Sequence, residues 1–183
     1  GVYIPNAKPL QSFSLVDHNN NLFTNTRLKG KWHILSYGYT HCPDICPMTL
    51  VTLARATKQL REDDPNLNIG LLFYSIDPER DTTEHLAQYL PWFHENLLGL
   101  TRIVSQGESS LAFEKSLGMV SVVDYKGGEG GYYKVSHGVV MYVLNPEGEL
   151  QAILKPFKNR DGSQHFSMEQ IYRDFKSVRS YTG

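Results

Sequence analysis

Cys42 and Cys46 are the only two cysteines in a chain of 183 residues, and they lie four apart in the run Gly38-Tyr39-Thr40-His41-Cys42-Pro43-Asp44-Ile45-Cys46-Pro47. A disulfide that closes so short a loop adds little to stability, because such a bridge acts mainly by restricting a long loop in the unfolded chain. The pair is therefore better explained by chemistry than by fold stability. Residues i and i+4 share one face of a helical turn, so both sulfurs can meet one ion or each other. A helix N-terminus favours anions, lowers a thiol pKa and populates thiolate, the form that binds metal or attacks a disulfide. Redox dithiols of thioredoxin type are usually spaced C-x-x-C. The extra residue here widens the bite, which suits a metal and still permits a disulfide. Two soft thiolates select copper(I), zinc or iron–sulfur centres, and a metal site needs a further ligand. Spacing alone leaves the metal site and the redox dithiol both open. A thiol peroxidase fits poorly, since such enzymes of this fold usually place Thr three residues before the reactive Cys, and Thr40 stands two before Cys42.

His137 is the best third ligand. It follows Val135-Ser136 and precedes an apolar strand. In a thioredoxin-like sheet the loop entering that strand lies against the cysteine loop, and neutral imidazole suits copper. His41 adjoins Cys42, but a neighbour so close in sequence tends to point elsewhere. Asp77 reads either as an Asx turn with Pro78 or as a group that contacts the ligands or a partner. Asp44 reads as helix-start electrostatics. His18, His33, His85, His94 and His165 are scattered and read as surface or packing residues.

The elements that must hold these residues follow from periodicity. Ser12 to Val16 and Leu22 to Thr24 flank His18-Asn19-Asn20-Asn21, an N-terminal β-hairpin. Hydrophobic patterning begins only near residue 10. Trp32 to Tyr37 and Ile69 to Ile76 are compact apolar runs, as buried strands require. Between them Leu50, Leu53, Ala54, Thr57 and Leu60 mark one face of a helix with Pro47 in its first turn. Asp81 and Glu84 resemble a capping pair ahead of Leu86, Tyr89 and Leu90, with Pro91 as the stop. Leu98 to Val104 reads as a strand and Ser109 to Leu117 as a helix ending at Gly118. Val120–Tyr125 and Tyr132–Val135 flank a Gly-rich tip at Gly127–Gly131, Val139–Leu144 and Leu150–Leu154 pair around a turn, and Ser167 with Gln170 caps a last helix. A βαβ unit followed by a ββα unit is a thioredoxin-like α/β fold. It has a mixed sheet flanked by helices, an N-terminal hairpin and a Gly-rich hairpin insertion. Ligands in such sheets gather beyond the carboxyl ends of the parallel strands, which is where the Cys42 loop and Asp77 fall.

Composition narrows the classes. With 40% hydrophobic and 20% charged residues the chain can bury an ordinary core, so one domain over residues 1–183 is expected. A net charge of −1 with dispersed basic residues excludes a nucleic-acid stripe. No run of about 18 apolar residues occurs, so these residues do not span a membrane, and no signal peptide is visible.

The decapeptide Gly38–Pro47 closely resembles the Sco/SenC family of copper-binding proteins of cytochrome c oxidase assembly. Ser75-Ile76-Asp77-Pro78-Glu79-Arg80-Asp81-Thr82 matches as well. So does Val135-Ser136-His137-Gly138 leading to Tyr142-Val143-Leu144-Asn145-Pro146-Glu147-Gly148. The resemblance implies a thioredoxin-like fold and one copper ion per chain on Cys42, Cys46 and His137. It implies a copper-receiving oxidase subunit and other copper chaperones as partners, a monomer, and an N-terminal transmembrane anchor outside these residues. The site would face the bacterial periplasm or the mitochondrial intermembrane space. A thiol-disulfide oxidoreductase acting through Cys42 and Cys46 on a partner's disulfide is the alternative. One departure stands out: family members commonly carry Asp before the ligand His, and here that residue is Ser136. The loss of that acceptor would loosen the imidazole's orientation.

Overall fold

The computed structural model describes residues 1–41, 45–119, 121–124, 134–137 and 140–182, and of residues 45–46, 121–124 and 134–137 it describes the backbone. The strands are β1 Val2–Pro9, β2 Ser14–Asp17, β3 Leu22–Thr24, β4 Trp32–Gly38, β5 Ile69–Ser75, β6 Leu97–Arg102, β7 Ser121–Asp124, β8 Lys134–His137, β9 Met141–Leu144, β10 Glu149–Leu154, β11 Phe157–Lys158 and β12 Gln164–His165. The helices are α1 Ile45–Asp63, α2 Thr83–Tyr89, α3 Gly107–Leu117 and α4 Met168–Thr182. Eight strands form one mixed sheet in the order β1-β10-β9-β4-β5-β6-β2-β3. β4, β5 and β6 run parallel, and every other pair is antiparallel.

The apolar runs are apolar because both faces of the sheet are covered. Side chains alternate along β4 and β5. Ile34, Leu71 and Phe73 face a core with Leu50, Leu53 and Leu60 of α1 and Ile171, Phe175 and Val178 of α4. Leu35, Tyr37, Leu72 and Tyr74 face a second core with Phe13, Phe23 and Phe113. Ordinary pleating splits one run of sequence between two cores. Gly118 ends α3 in the left-handed region at φ 66°, as the sequence predicts. Gly99 in β6 has no room for a side chain: a Cβ there would lie 2.5 Å from Leu90 Cδ1.

Three expectations change. The first strand begins at Val2, well before residue 10. β1 is a sheet edge, half or fully exposed along its length, interrupted by Pro5 and Pro9 and irregular in register between Tyr3 and Lys8. Such a strand carries no apolar alternation, so periodicity passes over it. The second change is at α2. Its N-cap is Thr82, whose side chain accepts from the His85 N–H, and Asp81 is buried beneath it. The third is at His137, which closes β8 opposite Ser121 instead of standing in a loop. β7 and β8 pair as the expected hairpin arms, while the Gly127–Gly131 tip and Val120 lie outside the described residues. Ser167 caps α4 by accepting the Gln170 N–H at 3.1 Å, but the Gln170 side chain donates to the Lys155 carbonyl instead of turning back.

His33 in β4 is 2% exposed, and its Nδ1 finds no partner among the described residues. Burial, aided by the charge of Lys31, pushes its pKa down to about 4. The unfolded imidazole titrates near the ordinary value of about 6.5. Between those values the unfolded chain holds more protons, so stability is complete above pH ~6.5 and is lost as pH falls towards ~4. We expect His33 to remove about 2 kcal/mol between pH 7.5 and pH 5. Urea unfolding of wild type and His33→Gln at several pH values checks this, since only wild type should show that component of the slope.

Candidate metal centre

The two loops that leave the parallel strands interlock, and the first of them runs into Cys42. β4 ends at Gly38, whose carbonyl accepts the Ile76 N–H at 2.9 Å just past the end of β5. Asp81, fully buried, then binds across the gap. Its Oδ2 accepts the Thr40 N–H at 3.0 Å and the Ser75 hydroxyl at 2.6 Å. Its Oδ1 accepts the Thr40 hydroxyl. One carboxylate thus ties the residue two before Cys42 to the last residue of β5.

A second tie lies alongside. Asp77, 2% exposed, pairs with Arg80 Nε at 2.5 Å. The Arg80 guanidinium lies over the Tyr39 ring, 5.6 Å from its centroid. The Asp77 carbonyl accepts the Asp81 N–H at 2.9 Å, and its own N–H donates to Ser75 Oγ at 3.2 Å. Asp77 is therefore more than a turn former. Through Arg80 it braces the aromatic ring three residues before Cys42.

Cys46 is the second residue of α1, whose first turn carries no acidic residue. The unpaired N–H groups of that turn give the start of α1 a partial positive charge. Pro47 follows in the same turn, where it removes no intrahelical hydrogen bond. His137 is the last residue of β8. Cys42 and Asp44 lie outside the described residues, and so do the side chains of Cys46 and His137. What the structure describes is the frame that carries them: the end of β4, the start of α1 and the end of β8.

Three residues that the sequence reading set apart come together here. His41, Asp81 and His85 offer donor atoms that all lie within 4.8 Å of one another. The His41 and His85 rings stack at 5.8 Å and 24°. The sequence signal for this was the i, i+4 spacing of Asp81 and His85 around a helix start. Reading His85 as a packing residue missed it. The other histidines behave as expected. His18 Nδ1 accepts the Gly99 N–H at 2.9 Å, and His94 Nδ1 accepts the Asn96 N–H at 3.0 Å.

Comparison with known proteins agrees with this frame. The bovine mitochondrial SCO2 homolog is 38% identical over 173 residues, which cover 92% of this chain and 60% of that protein. The crystal structure of Arabidopsis thaliana ScoI with copper bound superposes with a TM-score of 0.78 at 32% identity, covering 94% of this chain and 99% of that one. Yeast Sco1 with copper bound gives a TM-score of 0.78 at 28% identity, over 95% of this chain and 90% of its own. The fold is that of the Sco thioredoxin-like domain. Residues 3–169 match the SCO1/SenC family model, and the chain belongs to that family.

Proposed function

We propose that this protein carries copper on Cys42, Cys46 and His137 and delivers it to the copper centre of cytochrome c oxidase. The observation that carries this reading is the likeness, over nearly the whole domain, to two Sco proteins described with copper bound. The donor chemistry agrees. Two thiolates at a helix N-terminus and one imidazole form a soft set suited to copper(I), and three ligands leave the ion accessible to an exchanging partner. Loading requires reduced thiols, so the redox state of Cys42 and Cys46 gates it. The partner is the copper-receiving oxidase subunit, with other copper chaperones as donors. The site works outside the cytoplasm, in the bacterial periplasm on an inner-membrane anchor or in the mitochondrial intermembrane space. The relatives named mitochondrial support an extracytoplasmic setting. Among the described residues no helix is long and apolar enough to cross a membrane.

A second reading draws on Cys46 in the first turn of α1. A thiol so placed also suits disulfide exchange, and a thiol-disulfide oxidoreductase would use the same pair to reduce a partner's disulfide.

The test is copper content after gel filtration of reduced, copper(I)-loaded protein, wild type beside Cys42→Ser. Wild type is expected to retain one copper per chain and Cys42→Ser to lose it. Wild type that emerges without copper under these conditions overturns the copper reading and leaves the pair to be assayed as a reductase.

A further inference from the structure

We propose that His41, Asp81 and His85 form a second metal site, which takes divalent copper beside the thiolate pair. The proposal goes beyond copper transport on Cys42, Cys46 and His137 and rests on none of those three residues.

The carboxylate is fully buried, and among the described residues the only basic group within 4 Å of it is the His85 imidazole, with Nε2 3.9 Å from Oδ1. A buried carboxylate is costly unless a cation or several hydrogen bonds compensate it. Here Oδ2 is anchored from behind by the Thr40 N–H and the Ser75 hydroxyl. That leaves Oδ1 facing the two imidazoles. Both rings have aromatic neighbours. His85 stacks on Tyr89 at 6.3 Å and 18°, and His41 stacks on His85.

The convergence point is marked by the Thr40 hydroxyl. It donates to Asp81 Oδ1 and lies 2.8 Å from His85 Nε2 and 3.4 Å from His41 Nδ1. Three potential ligand atoms thus surround one small oxygen. First-row ions hold nitrogen and oxygen at about 2.0–2.2 Å. Donor atoms must then approach to roughly 3–4 Å of one another, so the widest pair, up to 4.8 Å apart, closes by about 1–2 Å. The exposed His41 and half-exposed His85 can supply it by side-chain rotation. The Thr40 hydroxyl turns aside about a single bond or remains as a fourth oxygen.

Two imidazoles and a carboxylate are a harder set than two thiolates and an imidazole. Imidazole suits copper, zinc and nickel, and among divalent first-row ions copper binds most tightly. His41 also directly precedes Cys42 in the sequence.

The experiment uses the full chain with both thiols replaced, Cys42→Ser/Cys46→Ser, titrated with copper(II). The readouts are equilibrium binding and electron paramagnetic resonance. The expected result is one copper(II) per chain with a two-nitrogen signature. Adding His85→Ala should weaken binding at least tenfold, and adding the exposed His165→Ala should leave it unchanged. Circular dichroism and thermal midpoints of each variant establish that it is folded, and His85→Gln serves if the Ala variant is not. The proposal is overturned if the thiol-free protein binds no copper(II), or if its binding is insensitive to His85. Failure of the thiolate site would show instead in reduced wild type with copper(I), so the two failures are distinguishable.

Discussion

Reduced His137→Ala is expected to bind copper(I) roughly 100-fold more weakly than wild type, while its dithiol still forms and breaks a disulfide at a near-normal rate. Loss of a group that merely orients a metal ligand costs about 10–100-fold in affinity, so loss of the ligand itself belongs at or beyond the top of that range. Cys46 and His137 sit on different elements. Cys46 is in α1 and His137 ends β8, so removing the imidazole leaves the start of α1 in place. A chelator competition in the presence of reductant measures the affinity, and exchange with a small-molecule disulfide measures the thiol chemistry. A variant that keeps wild-type affinity removes His137 from the ligand set. A variant that loses both properties assigns His137 a role in shaping the cysteine loop.

Asp81→Ala should be the most damaging single substitution in the frame. It deletes the acceptor for the Thr40 N–H, the Thr40 hydroxyl and the Ser75 hydroxyl. The Thr40 hydroxyl can turn to His85 Nε2, 2.8 Å away. The other two donors are left in a buried site, and each such orphan costs about 1–3 kcal/mol. We expect a loss of about 3 kcal/mol, or a fall in the melting temperature of roughly 6–12 °C for a chain of this size. Asp81→Asn should cost only about 1 kcal/mol. Its carbonyl can stand where Oδ2 accepts two bonds, and its amide can donate to the Thr40 hydroxyl. Urea unfolding of the three proteins checks the order. Equal losses in Ala and Asn would mean that the charge of Asp81, not its hydrogen bonds, does the stabilising.

The contrast between what could and could not be read from the chain has a physical cause. The cysteine run, the buried strands and the capping of α4 by Ser167 are local, and local patterns survive in sequence. The Thr40–Asp81 contact spans 41 residues, and nothing near Asp81 announces it. Asp81 looked like a helix cap because it precedes Thr82 and Glu84, yet Thr82 takes that role and frees the carboxylate to reach the other loop. His85 looked scattered because its partners come from that distant loop. β1 was missed for a different reason. An exposed edge with prolines has little need of apolar alternation, so it leaves no period to find.

That edge also limits how the protein can meet others. One margin of the main sheet is β1, proline-bearing and irregular, and the other is β3, three residues long. Neither offers a long, regular row of unpaired backbone groups, the template that strand addition requires. An incoming chain that paired along either margin would meet an irregular, proline-bearing row at β1 or only three residues at β3. For the proposed copper transfer, the surface to test is instead the pair of loops beyond the carboxyl ends of β4 and β5, which Asp81 ties together.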